Sequence, residues 1–338
     1  MTFPFGKIRL AFVFLFVLLA VNFLAAQGLR EGAPGALDRV PDGAHGQGSG
    51  VMPAAPSGGA VVQGNGINYH NGPVLQGNPV PIYLIWYGNW TNGPKVSDSQ
   101  VTVGLVQTFL GSNALGGSSY EAINTTYGDT TGNVSGHLNF AAAANDNYSQ
   151  GTKVRDSALP TIIGAQITAG HLPSDPNGVY LILTSSDVNE TSGFCRTYCG
   201  FHTHATINGA DLKYAFIGNV DKCPSGCEAQ STGPNSPVAG VGGADGMINT
   251  ITHETEEAIT DPDLNAWFDS SGNEDADKCN FKFGPVSTCV TGGLCTSAAI
   301  GSAAKFNQSF GGKSWLIQME WENSRGGGCD QTLGGAFH

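Results

Sequence analysis

Apolar residues recur along the chain in three patterns: unbroken runs, helical spacing, and short bursts between glycines. Val80–Tyr87 reads V-P-I-Y-L-I-W-Y, apolar at almost every position. Such a run predicts a strand buried on both faces, at or near the centre of a sheet. Residues 97–100, Ser-Asp-Ser-Gln, form a capping box, and Val101, Leu105, Val106, Phe109 and Leu110 follow at helical spacing. Gly111 predicts the end of that helix. Residues 134–142 predict a second strand, and 156–170 a second helix with Pro160 near its first turn. Residues 179–185 and 212–218 predict a third and a fourth strand, separated by a long cysteine-containing insertion. A last long helix is expected over 245–260. The remainder offers only short strand candidates, at 280–283 and 315–321. The order β-α-β-α-β-β-α followed by an irregular half predicts an α/β (α+β) fold: a mixed sheet with helices and a loop-rich, disulfide-rich C-terminal half.

Composition narrows this picture. Of 338 residues only 12% are charged, 40% are hydrophobic and 49 are glycine, with a formal net charge of −12. Sparse charge with ample apolar material argues against a disordered polyelectrolyte. The acidic balance argues against a nucleic-acid-gripping surface. Lys7 and Arg9, the unbroken apolar run of residues 10–20, and Leu24-Ala25-Ala26 before Gln27 read as a secretory signal over residues 1–26. The run is shorter than the ~20 residues of a spanning helix, and no stable membrane span is expected once the signal is removed. Residues 27–63 read as a flexible Gly/Ala/Pro-rich linker, and 64–338 as a single domain. The expected location is therefore secreted, outside the cell.

Eight cysteines, all beyond residue 190, fit that compartment as disulfides. Local pairs are expected, 195–199, 223–227 and 289–295, with 279–329 closing the C-terminal region. Four thiolates in two C-x3-C repeats also suit a structural zinc site, the less favoured alternative in an exported chain.

The chemistry concentrates in His253-Glu-Thr-Glu-Glu257-Ala-Ile-Thr-Asp261-Pro. On a helix, Ile248, Ile251, Thr255, Ala258 and Ile259 share one face. His253 and Glu257 fall on the opposite face, one turn apart, able to share one ion. This is the logic of H-E-x-x-H with a carboxylate in place of the second imidazole, and Glu254 stands where a general base acts on metal-bound water. Zinc is the expected ion. For the third ligand Asp277 is favoured and Glu274 is close behind. Asp261, ~12 Å along the helix from His253, is expected to cap or orient a loop instead. Residues 269–275 also place oxygen donors around Gly272, so a calcium loop is the competing reading there. His202 and His204 alternate as on one strand face and could reach the same metal, although a hydrogen-bonded role is favoured. His70 is expected in a structural turn. No G-x-S-x-G elbow, P-loop or dinucleotide fingerprint occurs.

Several segments resemble the EXORDIUM (phosphate-induced protein 1) family. They are Tyr69-His-Asn-Gly-Pro-Val-Leu-Gln-Gly77, Ile82-Tyr-Leu-Ile-Trp-Tyr-Gly88, Gly193-Phe-Cys195…Cys199-Gly-Phe-His202, Phe216-Ile-Gly-Asn219, Cys223-Pro-Ser-Gly-Cys227 and Asp245-Gly-Met-Ile-Asn249. The resemblance implies a secreted protein; plant members are cell-wall proteins linked to growth and to carbon or phosphate status, without an established activity. The resemblance does not imply catalysis; the residue reading and the resemblance together leave two main functional expectations, with calcium stabilisation of the 269–277 loop without catalysis as a third. The first is a zinc-dependent hydrolase with a zincin-like core, most simply a peptidase acting on peptide. The second is a non-catalytic extracellular protein that binds a cell-wall polymer, with Trp90 and Trp267 stacking on sugar rings if they are exposed.

Overall fold

The computed structural model describes residues 66–236, 243–289, 295 and 303–338. The signal and the linker expected from the sequence lie outside the described residues.

A five-stranded sheet organises the chain. Its strands are β1 (Val80–Tyr87), β2 (Leu138–Asp146), β3 (Val179–Thr184), β4 (Gly200–Ile207) and β5 (Ala210–Ile217). Their order is β2-β1-β3-β5-β4, parallel except for β4, which runs antiparallel to β5 at one edge. Three helices complete the layers: α1 (Gln100–Phe109), α2 (Leu159–Thr168) and α3 (Gly243–Thr260). Alternation along the strands sorts the side chains between two cores. Val80, Ile82, Leu84 and Trp86 of β1 join Leu105, Val106 and Phe109 of α1 and Ile248, Ile251 and Ile259 of α3 on one face. Tyr83, Ile85 and Tyr87 join Leu159, Ile162 and Ile163 of α2 on the other. The mixed α+β sheet expected from the sequence is therefore present, with both faces of its central strands covered.

Local signals explain most element ends. Ser99, rather than Ser97, caps α1, its hydroxyl accepting from the Thr102 N–H. Residues 156–158 form a 3-10 turn before α2, where Pro160 sits in the first turn. The second strand lies four residues beyond its predicted position. The edge hairpin β4–β5 is the main departure: residues 200–207 read as insertion, yet they form a full strand. Asn208-Gly209 carries the turn, both residues at positive φ (50° and 87°), which two-residue hairpins of this twist require. Of the two C-terminal strand candidates, 280–283 forms no strand, and 315–321 splits into Lys313–Trp315 and Glu320–Glu322.

The disulfides correct two expected pairs. Cys195 bonds Cys223 and Cys199 bonds Cys227, each with Cα atoms 5.5 Å apart, so the C-x3-C segments are laddered to each other. Residues four apart in a helical turn, as Cys223 and Cys227 are around Pro224–Cys227, project side by side toward a neighbour rather than toward each other. Because all four sulfurs are consumed, they form no zinc site. Cys279–Cys329 and Cys289–Cys295 pair as expected. Among the described residues no helix is long and apolar enough to cross a membrane.

Candidate metal centre

Helix α3 departs from the amphipathic expectation: all 18 of its residues are buried. Its apolar stripe meets the sheet. The opposite face, expected to lie away from the core, meets the turn 121–126 and the segments 274–281 and 318–320. Those segments carry polar side chains, so no hydrophobic signal in α3 announces them.

This burial assembles a set of donors. His253 and Glu257 share one side of α3, with Nε2 3.1 Å from Glu257 Oε1. The loop after α3 brings Asp277 Oδ1 to 3.7 Å from the same nitrogen, and the Asp277 N–H donates to Glu257 Oε1 at 3.0 Å. From β4, His202 Nε2 reaches Glu274 Oε2 at 2.9 Å and Glu257 Oε2 at 3.7 Å. His202, His253, Glu254, Glu257 and Glu274 are all fully buried. Two triads of mutually close donor atoms, His202–Glu257–Glu274 and His253–Glu254–Glu257, meet at Glu257. Ligand atoms on a tetrahedral zinc with ~2.0–2.1 Å bonds stand roughly 3.3 Å apart. The observed separations scatter around that value.

His253 Nε2 gives a sharper test of fit. It is buried and lies beside carboxylate oxygens, yet it makes no hydrogen bond. Burial pulls the His253 pKa down to about 3, with the His202 charge adding to the effect and the Gln318 contact opposing it. The imidazole is thus neutral at physiological pH, the form that binds metal. The other ring nitrogen, Nδ1, is 3.0 Å from Gln318 Nε2. That amide also donates to Ala276 O at 2.8 Å, and its Oε1 accepts from Phe281 N at 3.4 Å. With Nε2 on a metal, Nδ1 carries the hydrogen. Gln318 would then have to turn its amide so that Oε1 accepts, giving up its bonds with both Ala276 O and Phe281 N. We expect Gln318→Leu to weaken zinc binding by about 10–100-fold, measured by chelator competition.

Glu254 lies against the start of β4. A Cβ on Gly200 would stand 2.7 Å from Glu254 Oε1 and 2.9 Å from Phe216 O, so glycine there lets the edge strand close over this carboxylate.

Sequence reasoning named His253, Glu254, Glu257, Glu274 and Asp277, and the structure brings all five together. Glu274, ranked second, belongs to a close triad, whereas Asp277 stands a step further out. His202 was given a bland role, yet it enters the centre; its place on a hairpin edge strand facing α3 was legible in the Asn208-Gly209 turn. His204 points elsewhere, toward Asp211 at 2.9 Å and Asp263 at 3.8 Å, with Lys213 Nζ 2.8 Å from Asp263 filling that cluster. Asp261 caps as expected, its Oδ1 accepting from the Asn265 and Ala266 N–H groups, both at 2.6 Å.

In the 269–275 loop, Asp269 accepts from Ser271 N, Asn273 N and Asn273 Nδ2, and from Lys278 Nζ at 3.0 Å. A lysine ammonium stands where a calcium ion was the competing reading, while Glu274 turns to His202 and Asp275 to Thr260. Trp90 is a core residue packed edge-on to Trp86, and Trp267 is half-buried between Tyr69 and Tyr127. His70 stacks on Phe268 at 3.7 Å, as a structural histidine.

A mixed sheet with an antiparallel edge hairpin, followed by a buried H-E-x-x-E helix, defines a disulfide-bonded α+β protein with a histidine–carboxylate centre. The model of the phosphate-induced protein 1 conserved region matches residues 67–331, and the chain belongs to that family. It is 31% identical over 281 residues to Protein EXORDIUM-like 5 of Arabidopsis thaliana, covering 75% of each chain. It is 32% identical over 286 residues to Protein EXORDIUM-like 3 of the same plant, covering 76% of this chain and 80% of the relative. No solved structure matches.

Proposed function

We propose that this chain is an exported zinc-dependent hydrolase, acting on peptides. Its fully buried His253 Nε2, without a hydrogen-bond partner and 3.1 Å from Glu257 Oε1, carries the reading. His253 and Glu257 would hold the ion from one helical turn; Glu257 also belongs to the neighbouring triad with His202 and Glu274, and Asp277 lies behind them. Bound zinc supplies Lewis acidity and lowers the pKa of its water to ~7. Glu254 would accept a proton from the attacking water as its oxygen bonds the peptide carbonyl carbon, and would deliver that proton to the leaving nitrogen as the C–N bond breaks. The chelator-stripped protein is expected to lose peptide hydrolysis and to regain it with one equivalent of zinc. Hydrolysis that survives stripping overturns the proposal.

Complete burial of the centre favours a second reading. Closed metal sites are structural, and catalytic sites keep an open position. On this reading zinc locks α3, β4 and the 274–277 loop in a non-catalytic extracellular protein that binds a cell-wall polymer. Polymer pull-down by zinc-loaded protein that cleaves no peptide selects it.

A further inference from the structure

The two laddered disulfides differ in access. The outer bridge, Cys195–Cys223, is half-buried, and exposed Arg196, Thr197, Pro224 and Ser225 flank it. The inner bridge, Cys199–Cys227, is closed to solvent, its cysteines 1% and 2% exposed. A small thiol therefore meets the outer bridge and not the inner one. Yet the bridges touch: Cys223 Sγ lies 3.6 Å from Cys227 Sγ, at sulfur–sulfur contact. Two further features favour opening in one direction. Cys195 is held at φ 69°, a left-handed backbone that is costly for a residue with a Cβ. On the buried side, Gly226 O stands 3.8 Å from Cys199 Sγ, placed to accept a hydrogen from a thiol there.

We propose that this ladder is a thiol-responsive relay: attack on the accessible bridge passes to the buried one, and a single two-electron reduction releases both cross-links. The reductant is a low-molecular-weight thiol. Its thiolate bonds Cys195 Sγ, the Cys195–Cys223 bond breaks, and Cys223 leaves as a thiolate. That thiolate bonds Cys227 Sγ as the Cys199–Cys227 bond breaks, and Cys199 leaves and takes up a proton. A second thiol then displaces the first from Cys195, and the two small thiols depart joined by a disulfide. The balance closes. Two small thiols are oxidised to one disulfide, Cys195 and Cys199 each gain a hydrogen, and Cys223–Cys227 remains as the one bond within the ladder. The relay step joins sulfurs already in contact, whereas direct attack on the inner bridge needs a thiol to enter a closed interior. Cys223 and Cys227 project side by side toward the neighbouring segment while both are bonded to it; freed of that segment, they are the pair within reach of each other. The outcome is mechanical. No bond then ties residues 195–199 to 223–227. Cys199 adjoins Gly200, the first residue of β4, so the edge strand loses the anchor at that end. This chemistry does not depend on the hydrolase reading.

The test uses the full, oxidised wild-type chain under native conditions. It is exposed to increasing reduced glutathione, quenched with N-ethylmaleimide, and mapped for disulfides by peptide mass spectrometry. The first product to form in the ladder is expected to carry label on Cys195 and Cys199 and a disulfide between Cys223 and Cys227. In that product the amides of β4 should exchange hydrogen at least about tenfold faster than in the oxidised chain, while those of β1 and β3 stay protected. A first product labelled on Cys195 and Cys223 with Cys199–Cys227 intact overturns the proposal. So does a ladder that glutathione leaves untouched in the folded chain, and so does unchanged exchange in β4 after the relay product has formed.

Discussion

Glu254→Gln is expected to retain stoichiometric zinc while peptide hydrolysis falls by about 10²–10⁴-fold, the range a positioned general base supplies. The substitution is nearly isosteric, so the close approach of Gly200 to Glu254 Oε1 persists and β4 keeps its seat. The proton acceptor alone is removed. The matched readouts are zinc content and single-turnover cleavage of a peptide library. Loss of metal together with activity would make Glu254 a ligand rather than a base, and unchanged turnover would remove it from the chemistry.

The second large effect is on stability. Replacing Cys199 and Cys227 together by alanine should cost about 2.5 kcal/mol: Cys195–Cys223 keeps the long loop closed, so the entropy released is that of the small ring of roughly 8–10 residues between the two laddered bridges. For a domain of this size that is roughly 4–5 °C in Tm. The cost should also reach the centre. Cys199 immediately precedes Gly200, and β4 carries His202 into the donor set two residues later. Zinc affinity should therefore fall with stability in this variant. In a variant lacking Cys289–Cys295, a short bridge of sequence separation 6, zinc affinity should hold. Calorimetry and chelator competition on the two variants separate a bridge that positions the centre from one that only staples a loop.

How far the sequence showed this differs from element to element. Val80–Tyr87 announced a two-sided core strand because nearly every position is apolar, and the residues at 245–260 announced a helix because Ile248, Ile251 and Ile259 recur at its period. The polar side of α3 was illegible for a physical reason. Periodicity separates apolar from polar positions, but it cannot tell a polar face that meets water from one that meets Glu274, Asp277 and Gln318. His202 was undervalued because residues 200–207 were read as part of the cysteine-containing insertion, although their alternation and the Asn208-Gly209 turn are the signature of a strand in a hairpin. The crossed disulfides were hidden because spacing along the chain says nothing about which segments lie side by side.

Elemental analysis of the purified, disulfide-intact protein tests the central claim most directly. The account predicts one zinc per chain in wild type and none in His253→Ala or Glu257→Ala. A wild-type preparation that holds no stoichiometric transition metal after exposure to zinc, or a His253→Ala variant that holds as much as wild type, would contradict it.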